Sequence, residues 1–462
     1  MGHLKAPHLL FGCAPAPNFV SKLSLRHRSI PSTQNSPRLP PEIIWVILEC
    51  LTEHFSPYEV DFNSCRSSKH AAQLVGRAKA YFNDLYNRTL VCHSWYPMTN
   101  QFLYSYPILI SSRQLRLFRR SLERNPILTL LVRDIRFTDN SRFYQWGMRW
   151  VGSRARHEKH AERMRENARY ILRACRSLDA ITMHVSPFPF LNSIANILQK
   201  SLALSKEHHI RRLTVSGTGH YRIDIDASFF DNLERLTLQS SEFRPRGGYD
   251  VGAQKSLPEL QSLQLVRAYS FFSRSDVMKS LKGSPKLCHL DFIDTFFFLL
   301  SDDHIHCPTT LERLTLIGSA ELDMLNVWSQ CEFQTLTSLR QLTIGVLGHD
   351  DDTLAGSWTI PPNLETLSVL ICECAWKTED IEKKYLVRFV KKNARMKKMD
   401  TFRLLEVFVV GNRGDDGGDV KDRCQENDSH SASLRETCAK YSIPLKINYI
   451  NVIDDWVRDH IS

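Results

Sequence analysis

The chain has 462 residues, a formal net charge of +10 and an apolar fraction of 42%. That length predicts two or three domains or one long repeat array, and the apolar content is that of a globular protein. No apolar run approaches the roughly 18 residues that a membrane-spanning helix needs. The twelve cysteines follow no framework spacing, which points to reduced thiols in an intracellular protein, cytoplasmic or nuclear.

Residues 1–38 contain no Asp or Glu and carry Lys5, Lys22, Arg26, Arg28 and Arg38. This composition fits a transit peptide or a disordered basic tail. The lack of a clear amphipathic helix favours the tail. LPPEIIWVILECL (39–51) comes next. Pro40 and Pro41 are tolerated at a helix start, where the N–H groups have no intrahelical partner. Glu42 in the first turn meets the positive end of the helix dipole. Ile43, Ile44, Trp45, Val46, Ile47, Leu48 and Leu51 make the predicted helix apolar over most of its circumference. A surface helix needs only one apolar stripe, so this one needs cover on more than one side.

Downstream, TLVCHSWYPMTNQFLY (89–104) places Leu90, Val91, Cys92 and Trp95 at helical spacing, and KHAAQLVGRAKAYFNDLYN (69–87) provides a preceding helix. Leu-Pro-Pro-Glu-Ile, Ile-Leu-x-x-Leu and Leu-Val-Cys-x-Ser-Trp together resemble an F-box. Residues 103–137 are similar to the segment after the F-box in many fungal F-box-like proteins. The resemblance implies an all-α module, 39–104, that docks on a Skp-type adaptor and through it joins a cullin–RING ubiquitin ligase. It implies adaptor contacts at Leu39, Pro40, Ile44, Ile47, Leu48, Val91 and Trp95. Residues 52–88 exceed the usual F-box spacing and read as an inserted loop.

Residues 105–176 read as a helical linker. Within it, 149–176 is a strongly helical, arginine-rich stretch with Glu158, Glu162 and Glu166 four apart. That pattern fits a solvated helix with i,i+4 pairs, or a surface for nucleic acid or an acidic partner.

From 177 to 410 the pattern apolar-x-x-apolar-x-apolar recurs. Its clear copies start at 233, 260, 287, 311, 339 and 364, which are 27, 27, 24, 28 and 25 residues apart. Weaker copies start at 178, 210 and 399. Such periods are those of leucine-rich repeats, whose strands stack because no single repeat can bury its apolar face. The fold class expected is therefore α/β, a small all-α module followed by an irregular leucine-rich-repeat solenoid. The asparagine that follows the strand in regular repeats is missing. Residues 411–431, rich in Gly and Asp, read as a flexible acidic loop, and 432–462 as a C-terminal cap with a terminal strand.

Between the buried leucines of each strand runs a row that includes Thr237, Gln264, Asp291, Thr315, Thr343 and Ser368, expected to be half-exposed. The row two residues on turns apolar at Val266, Ile293 and Ile317. These three predict an exposed substrate-binding patch rimmed by Arg235 and Arg313, unless a flanking loop such as 267–282 covers them.

No nucleotide-binding or nucleophile-elbow motif occurs. DDHIHC (302–307) and HDDD (349–352) lack the paired segments of a metal site, and CEC (372–374) is not a C-x-x-C redox pair and reads as structural cysteines. No catalytic residue, metal or cofactor is expected, and the chain reads as a non-enzyme. Two functions fit these features. The first is a substrate-recognition adaptor of an SCF-type ligase, with a substrate protein of unknown identity on the repeats. The second is a basic repeat protein that binds nucleic acid or another acidic partner without the ligase. Neither involves a membrane.

Overall fold

The computed structural model describes residues 40, 42–43, 46–47, 96–109, 112–138, 154–185, 210–225, 232–245, 257–266, 269–270, 284–293, 296–297, 308–318, 335–346, 360–372, 382–395, 402–411, 429–450 and 456. The chain forms two compact units, Met1–His209 and Ile210–Ser462.

In the first unit, helix α1 (Tyr96–Ser105) leads to the two-residue strand β1 (Ile108–Leu109) and helix α2 (Ser112–Arg124). Leu115, Phe118 and Leu122 recur at helical spacing and form the buried stripe of α2. Pro126 ends the helix because it cannot donate the next hydrogen bond, and a 3-10 turn (Pro126–Leu130) follows. Strand β2 (Asp134–Thr138), helix α3 (Arg154–Ala174) and strand β3 (Ala180–Val185) complete the described residues of this unit. β2 pairs in parallel with both β1 and β3, Arg136 lying opposite Ile108 and Thr182. Helix α3 buries Ala168, Ile171 and Leu172. It meets α2 where Arg119 donates to Asn167 Oδ1 at 3.2 Å and stacks over the Tyr170 ring at 4.9 Å.

The expectation of a helical linker over 105–176 is therefore corrected in part: helices α2 and α3 are there, but strand β1 lies before them and strand β2 between them. Val132, Ile135 and Phe137 repeat the apolar-x-x-apolar-x-apolar pattern and are buried, with Ile135 paired to Ile181 and Phe137 to Met183. The neighbouring Leu128, Leu130 and Leu131 masked that pattern with a helix-like apolar density.

In the second unit the strands are β4 (Arg212–Ile225), β5 (Arg235–Pro245), β6 (Ser262–Val266), β7 (Tyr269–Ser270), β8 (His289–Ile293), β9 (Phe296–Phe297), β10 (Arg313–Gly318), β11 (Gln341–Val346), β12 (Thr366–Cys372), β13 (Leu404–Val410) and β14 (Leu445–Ile450). They pair in parallel in the order β4-β5-β6-β8-β10-β11-β12-β13-β14, with β7 and β9 forming a short side row from β5. This is a solenoid-like repeat array.

Its register follows the sequence pattern. Leu236, Leu263, Leu290, Leu314, Leu342, Leu367 and Leu405 stand in line, as do Leu238, Leu265, Phe292, Leu316, Ile344, Val369 and Val407. All are buried. Each fully buried side chain of this kind contributes about 1.5–3 kcal/mol of transfer free energy, as an upper bound against a compact unfolded chain.

In five of the six clear copies, among the described residues, the first leucine closes a hydrogen-bonded turn. Leu260, Leu287, Leu311, Leu339 and Leu364 donate to the carbonyls of Leu257, Ser284, Pro308, Leu336 and Pro361 at 3.1–3.2 Å. Two successive N–H groups then converge on one carbonyl of the preceding repeat, as Glu312 and Arg313 do on Cys288.

The array runs past 410. Helix α4 (Glu382–Arg395) precedes β13, and helix α5 (Ser429–Lys440) precedes β14, which pairs with β13. Ser429–Ser431, assigned from sequence to the acidic loop, belong to α5. That helix ends with Ser442 at φ 55° and Ile443 N–H bonded to the Cys438 carbonyl at 2.9 Å, a left-handed cap that satisfies a terminal carbonyl.

Candidate interaction surface

One face of the second unit carries three rows of side chains, because alternate residues of a strand share a face. The first row is Arg212, Arg235, Ser262, His289, Arg313, Gln341 and Thr366. The second is Thr214, Thr237, Gln264, Asp291, Thr315, Thr343, Ser368, Glu406 and Lys446. The third includes Gln239, Val266, Ile293, Ile317, Gly345, Leu370 and Phe408.

The second row is hydrogen-bonded at both ends, while the buried Thr315 hydroxyl between them makes no hydrogen bond among the described residues. Thr237 Oγ1 donates to Gln264 Oε1 at 2.9 Å, and Gln264 Nε2 donates to Asp291 Oδ2 at 3.1 Å. Arg313 Nε lies 3.5 Å from Asp291 Oδ1, an ion pair set diagonally across two strands. At the other end Glu406 accepts from Ser368 Oγ and from Lys446 Nζ, each at 3.2 Å. Asp291, Thr315 and Ser368 are buried, so the middle of this row is not half-exposed as its composition suggests. A buried carboxylate is tolerable only when paired, and Gln264 and Arg313 provide that pairing. His289 sits beside Arg313 in the first row. Its pKa is lowered, first by burial and then by the Arg313 cation, against the opposing pull of Asp291 and Glu312.

The third row corrects a sequence expectation. Val266, Ile293 and Ile317 are adjacent in register as predicted, but they are buried, Ile293 to 2% and Ile317 to 0% exposure. They belong to one apolar cluster with Leu370, Phe408, Val410 and Trp456. Trp456 meets Phe408 edge-on with ring centroids 6.0 Å apart. Apolar side chains on this face pack as core, so they offer no open patch. Arg235 is exposed, while Arg313 is half-buried against Asp291. Sequence alone marks the Asp291 row as polar without revealing its ion pair. A charge of opposite sign two positions earlier on the next strand was the available signal.

Of the seven predicted adaptor-facing residues, Leu39, Ile44, Leu48, Val91 and Trp95 lie outside the described residues, and Pro40 and Ile47 lie within them. Pro40 is exposed, its carbonyl accepts from Ile43 N–H at 3.0 Å, and 42–43 and 46–47 are helical. Ile43 and Val46 are exposed and Ile47 is half-buried. The motifs 302–307 and 349–352 also lie outside the described residues. Among the described residues no group of three or more His, Cys, Asp or Glu is gathered for a metal ion. No helix among them is long and apolar enough to cross a membrane.

No protein-family model matches the chain, and no curated protein matches it significantly.

Proposed function

We propose that the chain is a substrate-recognition adaptor of an SCF-type cullin–RING ubiquitin ligase, its F-box-like segment binding a Skp-type adaptor and its leucine-rich-repeat-like array holding a substrate protein. The observation that carries this reading is the helix start after Pro40, where Ile43 and Val46 stand exposed in a segment that resembles the F-box. Exposed large apolar side chains grouped on one turn are the usual mark of a partner site. The stacked array of the second unit supports the other half, since solenoids present long continuous faces to partners. Catalysis then lies in other subunits. This chain supplies proximity, raising the effective concentration of a substrate lysine near the loaded ubiquitin carrier.

Co-purification of the full chain with a recombinant Skp-type adaptor tests the reading. Interface anchors typically cost more than about 2 kcal/mol when truncated, so Leu39→Ala with Pro40→Ala abolishes the complex while circular dichroism of the array stays unchanged. A wild-type chain that does not retain the adaptor, or a double variant that retains it fully, overturns the reading.

A further inference from the structure

A different surface lies on helix α2. Arg113, Arg116, Arg120 and Arg124 are all exposed, and Leu115, Phe118 and Leu122 are buried on the opposite side. At about 100° per residue the four arginines fall within roughly 80° of one another, and at 1.5 Å per residue they span about 16 Å of helix. Solvated helix faces usually interleave acids and bases at i,i+4 spacing. Here the single acid of the helix, Glu123, is taken by Arg119 at 2.7 Å. No ion pair holds Arg116, Arg120 or Arg124 among the described residues.

An apolar ridge follows the stripe directly in the chain. In the 3-10 turn after α2, Ile127 and Leu130 are 70% and 56% exposed, while Leu128 between them is buried. Residues three apart eclipse in a 3-10 helix, so Ile127 and Leu130 project together. Tyr106 is exposed as well. Three of the five exposed large apolar side chains among the described residues thus come from 106–130.

We infer that this surface docks an acidic amphipathic helix of a partner protein. Carboxylates at every fourth position of a helix are about 6 Å apart along its axis, matching the spacing of Arg116, Arg120 and Arg124. Guanidinium groups pair carboxylates in bidentate fashion. Apolar side chains beyond the last carboxylate cover Ile127 and Leu130. A nucleic-acid backbone satisfies the arginines but leaves this ridge uncovered, so the observations favour protein. The surface belongs to the first unit and is independent of the ligase reading.

The test uses the full chain and a synthetic helical peptide with glutamate at every fourth position and two leucines one turn beyond. Its controls are polyglutamate, a single-stranded oligonucleotide and anionic vesicles. Binding is read by fluorescence anisotropy at physiological salt. The peptide binds more tightly than any control. Arg116→Glu with Arg120→Glu and Arg124→Glu weakens it by about tenfold or more. Ile127→Ser with Leu130→Ser weakens the peptide by about fivefold and leaves polyglutamate unchanged. These exposed positions leave the fold intact by circular dichroism. Tighter binding of the oligonucleotide or the vesicles overturns the inference, as does a peptide affinity that neither set of substitutions changes.

Discussion

Among the described residues, one group of strands in the second unit follows leucine-closed turns and the last two follow helices, and the contrast is instructive. β6, β8, β10, β11 and β12 each follow a hydrogen-bonded turn closed by a buried leucine, and these copies recur every 24–28 residues. β13 and β14 follow helices α4 and α5, and their side chains Glu406 and Lys446 stand 38 and 40 residues from their partners Ser368 and Glu406. The strands in both regions obey one register. What changes is the spacing from one strand to the next. The strand pattern is thus set by the need to bury alternate apolar residues, and the connection is free to vary.

The largest expected effect tests whether the two regions melt together. Ile293 and Ile317 sit in the turn-entered region, and Phe408, buried in the same cluster, sits in the helix-entered one. Placing a carboxylate at such a site forces an unpaired charge out of water, which costs several kcal/mol per ion. Ile293→Asp with Ile317→Asp therefore abolishes cooperative unfolding of the array in urea. Phe408→Asp does the same if the regions form one cooperative unit. A residual transition in the Phe408 variant, absent from the isoleucine variant, shows instead that the turn-entered region folds without its helix-entered neighbour.

A smaller effect comes from Gly345, which interrupts the apolar row between Ile317 and Leu370. A Cβ there would lie 3.0 Å from Leu370 Cβ and 3.1 Å from Ile317 Cγ2. Glycine thus lets the row close across β11. Overpacking a filled core costs about 1–3 kcal/mol, and Gly345→Ala lowers stability by that order in a denaturant titration. An unchanged midpoint would show that the turn-entered strands slide apart easily.

Legibility in the sequence followed the same division. Leu314 and Leu342 were readable because short, near-equal spacing repeats the pattern against a polar background. Val132, Ile135 and Phe137 carry the same pattern, yet the helix-like stretch around them and the long distance to Leu178 hid it. Helix α5 escaped because SHSASLRETCAK is mostly polar, with Ser431, Leu434, Thr437 and Cys438 as its buried positions. At the candidate surface, the side-chain rows and their adjacency were legible from period two alone. Their burial was not, because what covers Ile293 or seats Trp456 against Phe408 depends on segments far away in sequence. The pairing of Asp291 with Arg313 depended on strand register, which no single strand encodes.

The smallest effect lies at the junction of the two regions. Glu365, just before β12, faces Arg340 at 3.2 Å on the turn-entered side and Arg403 at 3.8 Å on the helix-entered side. Both arginines are exposed and Glu365 is half-buried. Exposed ion pairs contribute about 0.2–1 kcal/mol at most, because water screens them and holding long side chains costs entropy. The backbone carbonyl of Glu365 already anchors the next strand, accepting from Arg403 N–H at 2.7 Å and Leu404 N–H at 3.1 Å. The junction is therefore held by main chain, with the charges as a minor addition. Double-mutant cycles for Glu365→Gln with Arg340→Gln and with Arg403→Gln give coupling energies within that range, larger for the closer Arg340, and both shrink as salt is raised. A salt-insensitive coupling well above it at Arg403 would mean that the side chains, rather than the shared carbonyl, join the helix-entered strands to the rest.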